Sequence, residues 1–268
     1  MSTAHKIVKI LAIALAIFII SLIAGVILFI IALITNIDFI TGKQYDYNKT
    51  FKNIEIIEID TAHSNIYVKE GEKFEVEAEN VTSKFTIKEQ NGILKIQDEK
   101  NWLLFWKKAG DITIYIPETI LKKLDVESST GKIYIENINT QKLEIDQGTG
   151  VLEIDETEAF STEISGGIGE MNINDSILNN LELDTGIGNV NINSYLTGTS
   201  EIECGIGNIR IKLQGEKEQY MIKTNKGIGD IKINDKEYED DKTIGSGENK
   251  IKIEGGIGKI VIDFEDKG

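Results

Sequence analysis

The chain has 268 residues, 41% of them hydrophobic, with 25 glycines, one proline and one cysteine. It is too apolar and too regularly patterned for a disordered polypeptide. Its formal charge of −15, with 44 acidic against 29 basic residues, argues against nucleic-acid binding and against adsorption on anionic lipid.

Residues 10–34 hold no charge and consist mostly of Ile, Leu, Ala and Val. At ~1.5 Å per residue, 25 helical residues span more than the ~30 Å that a bilayer core requires. A signal-peptide core is shorter, about 7–15 residues, and ends at a small-residue cleavage site. The expectation is one uncleaved transmembrane helix within residues 1–35. Lys6 and Lys9 precede the span and Asp38 is the first charge after it. The positive-inside rule then predicts a cytoplasmic N-terminus and a cell-membrane protein whose C-terminal part is extracytoplasmic.

Residues 36–50 are read as a juxtamembrane linker, and 51–268 as one β domain. Within it, 51–120 is the less regular part, with strands expected at 74–78, 84–88, 93–97 and 111–116, and with a capping role at the N-terminal end. The segment Ile57-Glu-Ile-Asp-Thr-Ala-His-Ser-Asn-Ile-Tyr-Val68 already matches the later Leu181-Glu-Leu-Asp-Thr-Gly-Ile-Gly-Asn-Val-Asn-Ile192. Ser64 takes the place of a glycine there.

Both tryptophans fall in Asn101-Trp-Leu-Leu-Phe-Trp-Lys-Lys108. Trp102, Leu103, Leu104, Phe105 and Trp106 are candidates for a membrane or partner contact, because Trp and Lys suit a membrane interface. The other reading of the same residues is an apolar plug over the open end of the core.

From residue 121 the chain repeats. The second glycine of each Gly-x-Gly turn falls at Gly150, Gly169, Gly188 and Gly207, with Gly131 one period earlier, so the period is 19. Later copies end at Gly229 and Gly258, 22 and 29 residues on, with the insertions between strands. Two residues after the marker runs an apolar column of Ile133, Leu152, Met171, Val190, Ile209, Ile231 and Ile260. Four residues after it runs another, Ile135, Ile154, Ile173, Ile192, Ile211, Ile233 and Ile262. A third, five residues before it, is Val126, Ile145, Ile164, Leu183, Ile202, Thr224 and Ile253. Apolar residues alternate with polar ones, the period of a strand with one buried face. The predicted fold is all-β, a single-stranded parallel β-helix (β-solenoid) with 19-residue coils over 121–268. Each strand is expected to pair in parallel with its copy in the next coil, since one coil alone cannot bury enough surface to stand.

Asp111-Ile-Thr-Ile-Tyr-Ile-Pro117, then Leu124-Asp-Val-Glu-Ser-Ser-Thr-Gly-Lys-Ile-Tyr-Ile135 and the Gly-Ile-Gly repeats, resemble the bacterial putative-adhesin family of β-strand repeats, also called toast-rack domains. The resemblance covers about residues 50–268. It implies a β-strand-repeat domain of unknown function, often membrane-anchored and associated with cell-envelope stress systems. It transfers no catalytic residue.

The motifs of common chemistries fail on inspection. A dinucleotide loop needs a third glycine and a following helix, and here a strand follows each turn. The calcium-binding β-roll nonapeptide needs Asp where Met171 and Ile260 stand. Outward Asn and Asp oxygens leave a calcium site open as an alternative to a solvated polar face. Cys204 is read as a buried filler, and His5 and His63 support neither a triad nor a metal centre. No catalytic, cofactor or metal residue is assigned. The expected function is a non-catalytic binding or scaffold module, in adhesion or envelope stress, with another envelope or membrane protein as partner. The alternative is a glycan-acting β-helix enzyme, which would show a concave cluster of buried carboxylates.

Overall fold

The computed structural model describes residues 15, 17–31, 44–81, 84–98 and 110–265, which fall in two compact units, a helix and a β body. In the first, residues 17–31 are helical, and their apolar side chains are exposed all round, among them Phe18 (63%) and Leu28 (66%). No helix among the described residues is long and apolar enough to cross a membrane. Apart from Leu15, which is helical and exposed, the rest of the expected 10–34 span lies outside the described residues.

The second unit is mostly β, a solenoid-like stack of coils. Lys123–Glu136, Asn139–Asp155, Glu158–Asn179 and Leu181–Thr197 pair in parallel, each with the next. The register advances by one repeat: Val126 faces Ile145, Ile145 faces Ile164, and Ile164 faces Leu183. Thr199–Ile206 and Ile209–Leu213 continue the stack on Leu181–Thr197. Because the pairing is in register, each apolar column becomes one continuous ridge in the core. All three columns named above are buried, from Val126 and Ile133 at 0% to Met171 at 4%. The return corners use Asn137, Glu156 and Asp175 at φ near +50°. Asn and Asp tolerate that left-handed conformation better than most residues, which lets the chain turn without glycine.

Spatial order then departs from sequence order. The coil Thr199–Leu213 does not pair with the next coil in the chain. Its partner is Asn249–Ile257 with Ile260–Phe264, so that Ile202 faces Ile253 and Ile209 faces Ile260. The skipped coil, Tyr220–Ile228 with Ile231–Ile233, packs outside that one. The cause lies in the insertion after Ile233. Its strands Lys236–Tyr238 and Thr243–Gly245 fold back antiparallel on Ile231–Ile233 and Tyr220–Ile228. Once those hairpins occupy an edge, no further coil can be added there.

The other end has the same design. Ile56–Glu70 pairs in parallel with Lys123–Glu136 on one side and with Ile93–Asp98 and Gly110–Ile116 on the other. Those outer strands are covered antiparallel by Thr86–Gln90 and Glu75–Val81. Tyr45–Thr50 adds to Glu75–Val81, so part of the stretch expected as linker is a strand. Tyr47 anchors it edge-on against Phe85 at 5.8 Å.

Candidate functional site

The aromatic segment Trp102, Leu103, Leu104, Phe105 and Trp106 lies outside the described residues. Among those described, the surface with most to offer is the edge made by the Gly-x-Gly turns.

Glycine is obligatory at this edge for a steric reason. A Cβ at Gly188 would sit 1.7 Å from the carbonyl oxygen of Gly169, and one at Gly207 would sit 1.5 Å from that of Gly188. The chain order inversion is respected here too, since a Cβ at Gly229 would meet the oxygen of Gly258 at 1.6 Å. The first glycines of the turns stack likewise, with Gly205 against Gly186 and Gly256 against Gly205. Successive backbones are therefore in contact along the strip.

The middle residue of each turn projects outward from this bare strip. In five successive coils it is isoleucine: Ile168, Ile187, Ile206, Ile257 and Ile228. They lie in register and are 47–70% exposed. An exposed isoleucine taken singly is ordinary, but five stacked in one row form a contiguous apolar ridge. Sequence reasoning passed over these residues by treating the turn only as glycine. The signal was present, because a solvent-facing turn position filled five times by Ile lacks the usual polar choice.

Beside the first-glycine strip runs a furrow of ≈ 480 Å³, lined by Asp184, Glu203, Glu254, Asn225 and Lys226 above the glycines Gly186, Gly205, Gly256 and Gly227. The strand alternation that buries Leu183 and Ile202 turns Glu182, Asp184, Glu201 and Glu203 to the outer face. Oxygens of Glu201, Glu203 and Glu254 lie within 4.8 Å of one another. Lys252 sits among them, paired with Glu201 and 2.9 Å from Glu254. Partial burial, followed by the charges of Glu254, Glu201 and Asp184, pushes the Glu203 carboxyl above the ordinary glutamate value. Such oxygens could hold a hard cation, although the Lys252 ammonium already supplies positive charge there.

Other groups are occupied structurally. The outward asparagines form ladders: Asn191 donates to Asn172 at 2.9 Å, and Asn174 to Asp155 at 2.9 Å. Cys204 is buried, its thiol donating to the Gly188 carbonyl at 3.5 Å, and burial pushes its pKa up, away from reactivity. A second groove of ≈ 650 Å³, on the return side, is lined by Ile120, Phe160 and Ile177 with Thr140 and Asn179. Asp98 is the one buried carboxylate among the described residues.

Solved structures similar to this chain include three distant likenesses. A putative adhesin from Bacteroides fragilis is 17% identical, covers 82% of this chain and 97% of its own, and has a TM-score of 0.46. A putative cell adhesion protein from Clostridium sporogenes is 16% identical, with 83% and 100% coverage and a TM-score of 0.39. A putative lipid binding protein from Parabacteroides distasonis is 14% identical, with 84% and 98% coverage and a TM-score of 0.41. Comparison with curated proteins finds no match. The profile of the Toastrack DUF4097 family matches residues 54–256, from the irregular opening strands through the Gly-x-Gly stack to the first glycines of its last turn. The chain belongs to the Toastrack DUF4097 family.

Proposed function

We propose that this protein is a membrane-anchored, extracytoplasmic binding or scaffold module whose β body is a single-stranded parallel β-helix. The observation that carries the binding role is the row of five exposed isoleucines on an edge that stacked glycines hold rigid. A rigid edge loses little entropy when a partner docks on it, so burial of the ridge is retained as affinity. The function is non-catalytic: the gathered carboxylates Glu201, Glu203 and Glu254 are only partly buried on one outer face and share Lys252, where a glycan-cleaving pair would flank the scissile bond. Anchoring rests on the uncharged stretch 10–34 and on the apolar side chains exposed around helix 17–31. Lys6 and Lys9 on the near side support a cytoplasmic N-terminus. The partner is another envelope or membrane protein, in adhesion or in the response to envelope stress.

The test is capture from cells that express the full chain, after mild cross-linking and membrane solubilisation. One protein should be recovered with the wild-type chain and lost with Ile187→Ser/Ile206→Ser. Capture that does not change with the ridge substitutions overturns the binding role of this edge. Protease added to wall-stripped cells should remove the chain beyond residue 50, and full protection would reverse the proposed orientation.

A further inference from the structure

The ridge and the furrow together describe the chemistry of an occupant. Five isoleucines occupy five adjacent coils, and at ~4.8 Å per coil the ridge is roughly 19 Å long. Its step is close to the ~5.4 Å pitch of an α-helix laid along it. A helix of about 13 residues matches the whole length and meets one isoleucine per turn. An extended strand, with same-face side chains every ~6.6 Å or more, would lose register after two coils.

The charge beside the ridge is predominantly negative, since the furrow's own lysine, Lys226, lies at one end and spends its ammonium on the Gly229 carbonyl at 2.7 Å. Glu182, Asp184 and Glu203 form no ion pair among the described residues, and Lys252 is shared between Glu201 and Glu254. Each floor glycine of the furrow is followed directly by a ridge isoleucine: Gly186 by Ile187, Gly205 by Ile206, Gly256 by Ile257 and Gly227 by Ile228. An apolar stripe and a carboxylate row therefore run parallel, separated by bare backbone that permits close approach. A second copy of this chain would bring acid against acid, and an anionic membrane surface would be repelled in the same way.

We propose that the Gly-Ile-Gly edge docks a cationic amphipathic α-helix of a partner polypeptide, with the partner's apolar stripe on Ile168 to Ile228 and its lysines or arginines over Asp184, Glu203 and Glu254. This rests on the binding-module reading given above and names the partner's chemistry. Burial first, and then the charges of Glu254, Glu201 and Asp184, raise the Glu203 pKa against the opposing pull of Lys252, so negative charge prevails at this point of the row.

The test uses the full chain in zwitterionic phosphatidylcholine nanodiscs and a fluorescent 14-residue helix with leucine on one face and lysine on the other. Anisotropy is read against empty discs. The wild-type chain should bind in excess of the discs, and an aspartate-for-lysine version of the helix should not. Ile187→Ser/Ile206→Ser/Ile257→Ser should weaken binding about tenfold or more with an unchanged melting temperature. Asp184→Asn/Glu203→Gln should weaken it roughly fivefold and flatten its dependence on salt. Binding no greater than to empty discs, or binding that ignores either set of substitutions, overturns the proposal. If the helix fails to bind while ridge-dependent capture from cells persists, the partner's chemistry is wrong and the binding role stands. If both fail, the binding role falls as well.

Discussion

Between residues 123 and 213 each coil pairs with its neighbour in sequence, whereas at both ends spatial and sequence order part company. The middle coils are interchangeable units with one period, one set of columns and two edges ready for pairing. The end coils carry extra strands, and those strands decide their place. Tyr220–Ile228 and Ile231–Ile233 bear antiparallel hairpins, so they must lie outermost, and the later coil Asn249–Phe264 fills the gap behind them. At the opposite end Gly110–Ile116 and Ile93–Asp98 are outermost because Glu75–Val81 and Thr86–Gln90 close their free edges. Open strand edges recruit other chains, and an antiparallel cover of unlike register stops the stack from growing. Repetition builds the length of the body, and departure from repetition ends it.

The middle should therefore be the least tolerant of a side chain at the turn. Gly188→Val places a Cβ within 1.7 Å of the Gly169 oxygen and a β-branched residue at φ +159°, next to the glycine-favouring range. We expect a loss of about 4 kcal/mol or more, or failure to fold. Asn191→Ser, on the outer face of the same coil, should cost less than ~0.5 kcal/mol beyond the lost bonds to Asn172 and Glu170. Urea midpoints for the two variants measure the contrast, and equal midpoints would remove the glycine stack from the account.

Core truncations should grade from middle to cap. Ile192 is 2% exposed between two stacked coils, and Ile192→Ala should cost roughly 2–5 kcal/mol. Ile244, in the covering strand Thr243–Gly245, only flanks the core, and Ile244→Ala should cost about 1 kcal/mol. A cap residue as costly as Ile192 would mean that the covering strands bear more of the stability than their burial suggests.

The inverted order at the C-terminal end has a direct chemical reading. Lys212 is in register with Asp263, two outward positions on adjacent strands. Cysteines at those two positions should close a disulfide on mild oxidation, because neighbouring strands ~4.8 Å apart meet its geometric limits. The bond should add on the order of 2–4 kcal/mol by constraining the unfolded chain. Cysteines at 212 and 234 should stay reduced, since a whole coil separates them. The opposite pattern of cross-links would restore sequence order to the stack.

What could be read from the sequence follows the same division. The columns of the middle coils were legible because period-two burial and a fixed 19-residue step leave little freedom in the register. The two inversions were not: at the C-terminal one, Ile202 accepts Thr224 or Ile253 as its neighbour on pattern alone, and only the hairpins after Ile233 break the tie. Residues 45–50 were missed as a strand because their pattern is short and their partner, Glu75–Val81, is distant in sequence. At the functional edge the glycines were read as backbone devices, and the isoleucine between them was overlooked because periodicity locates a core and says little about a turn.

The smallest predicted effect separates the acidic row from the uncharged columns behind it. Glu203 has its pKa raised above 4.5 by partial burial and then by Glu254, Glu201 and Asp184, so the folded state holds its proton more tightly than the unfolded chain does. A carboxyl of that kind favours folding while both states are protonated, and the advantage is lost as pH rises through its folded value. At neutral pH its ionised form is a net cost. Glu203→Gln should therefore raise the melting temperature at pH 7, by an amount on the order of 1 °C for a partly exposed group in salt. The gain should shrink on acidification and vanish below the ordinary glutamate value, where wild type and variant carry the same charge at this position. Leu183→Ala, one strand position from the same row, should give a loss that scarcely varies over that range. Melting curves from pH 3.5 to 7 compare the two, and a Glu203→Gln effect that is independent of pH would show that packing at Glu203, rather than its charge, sets the difference.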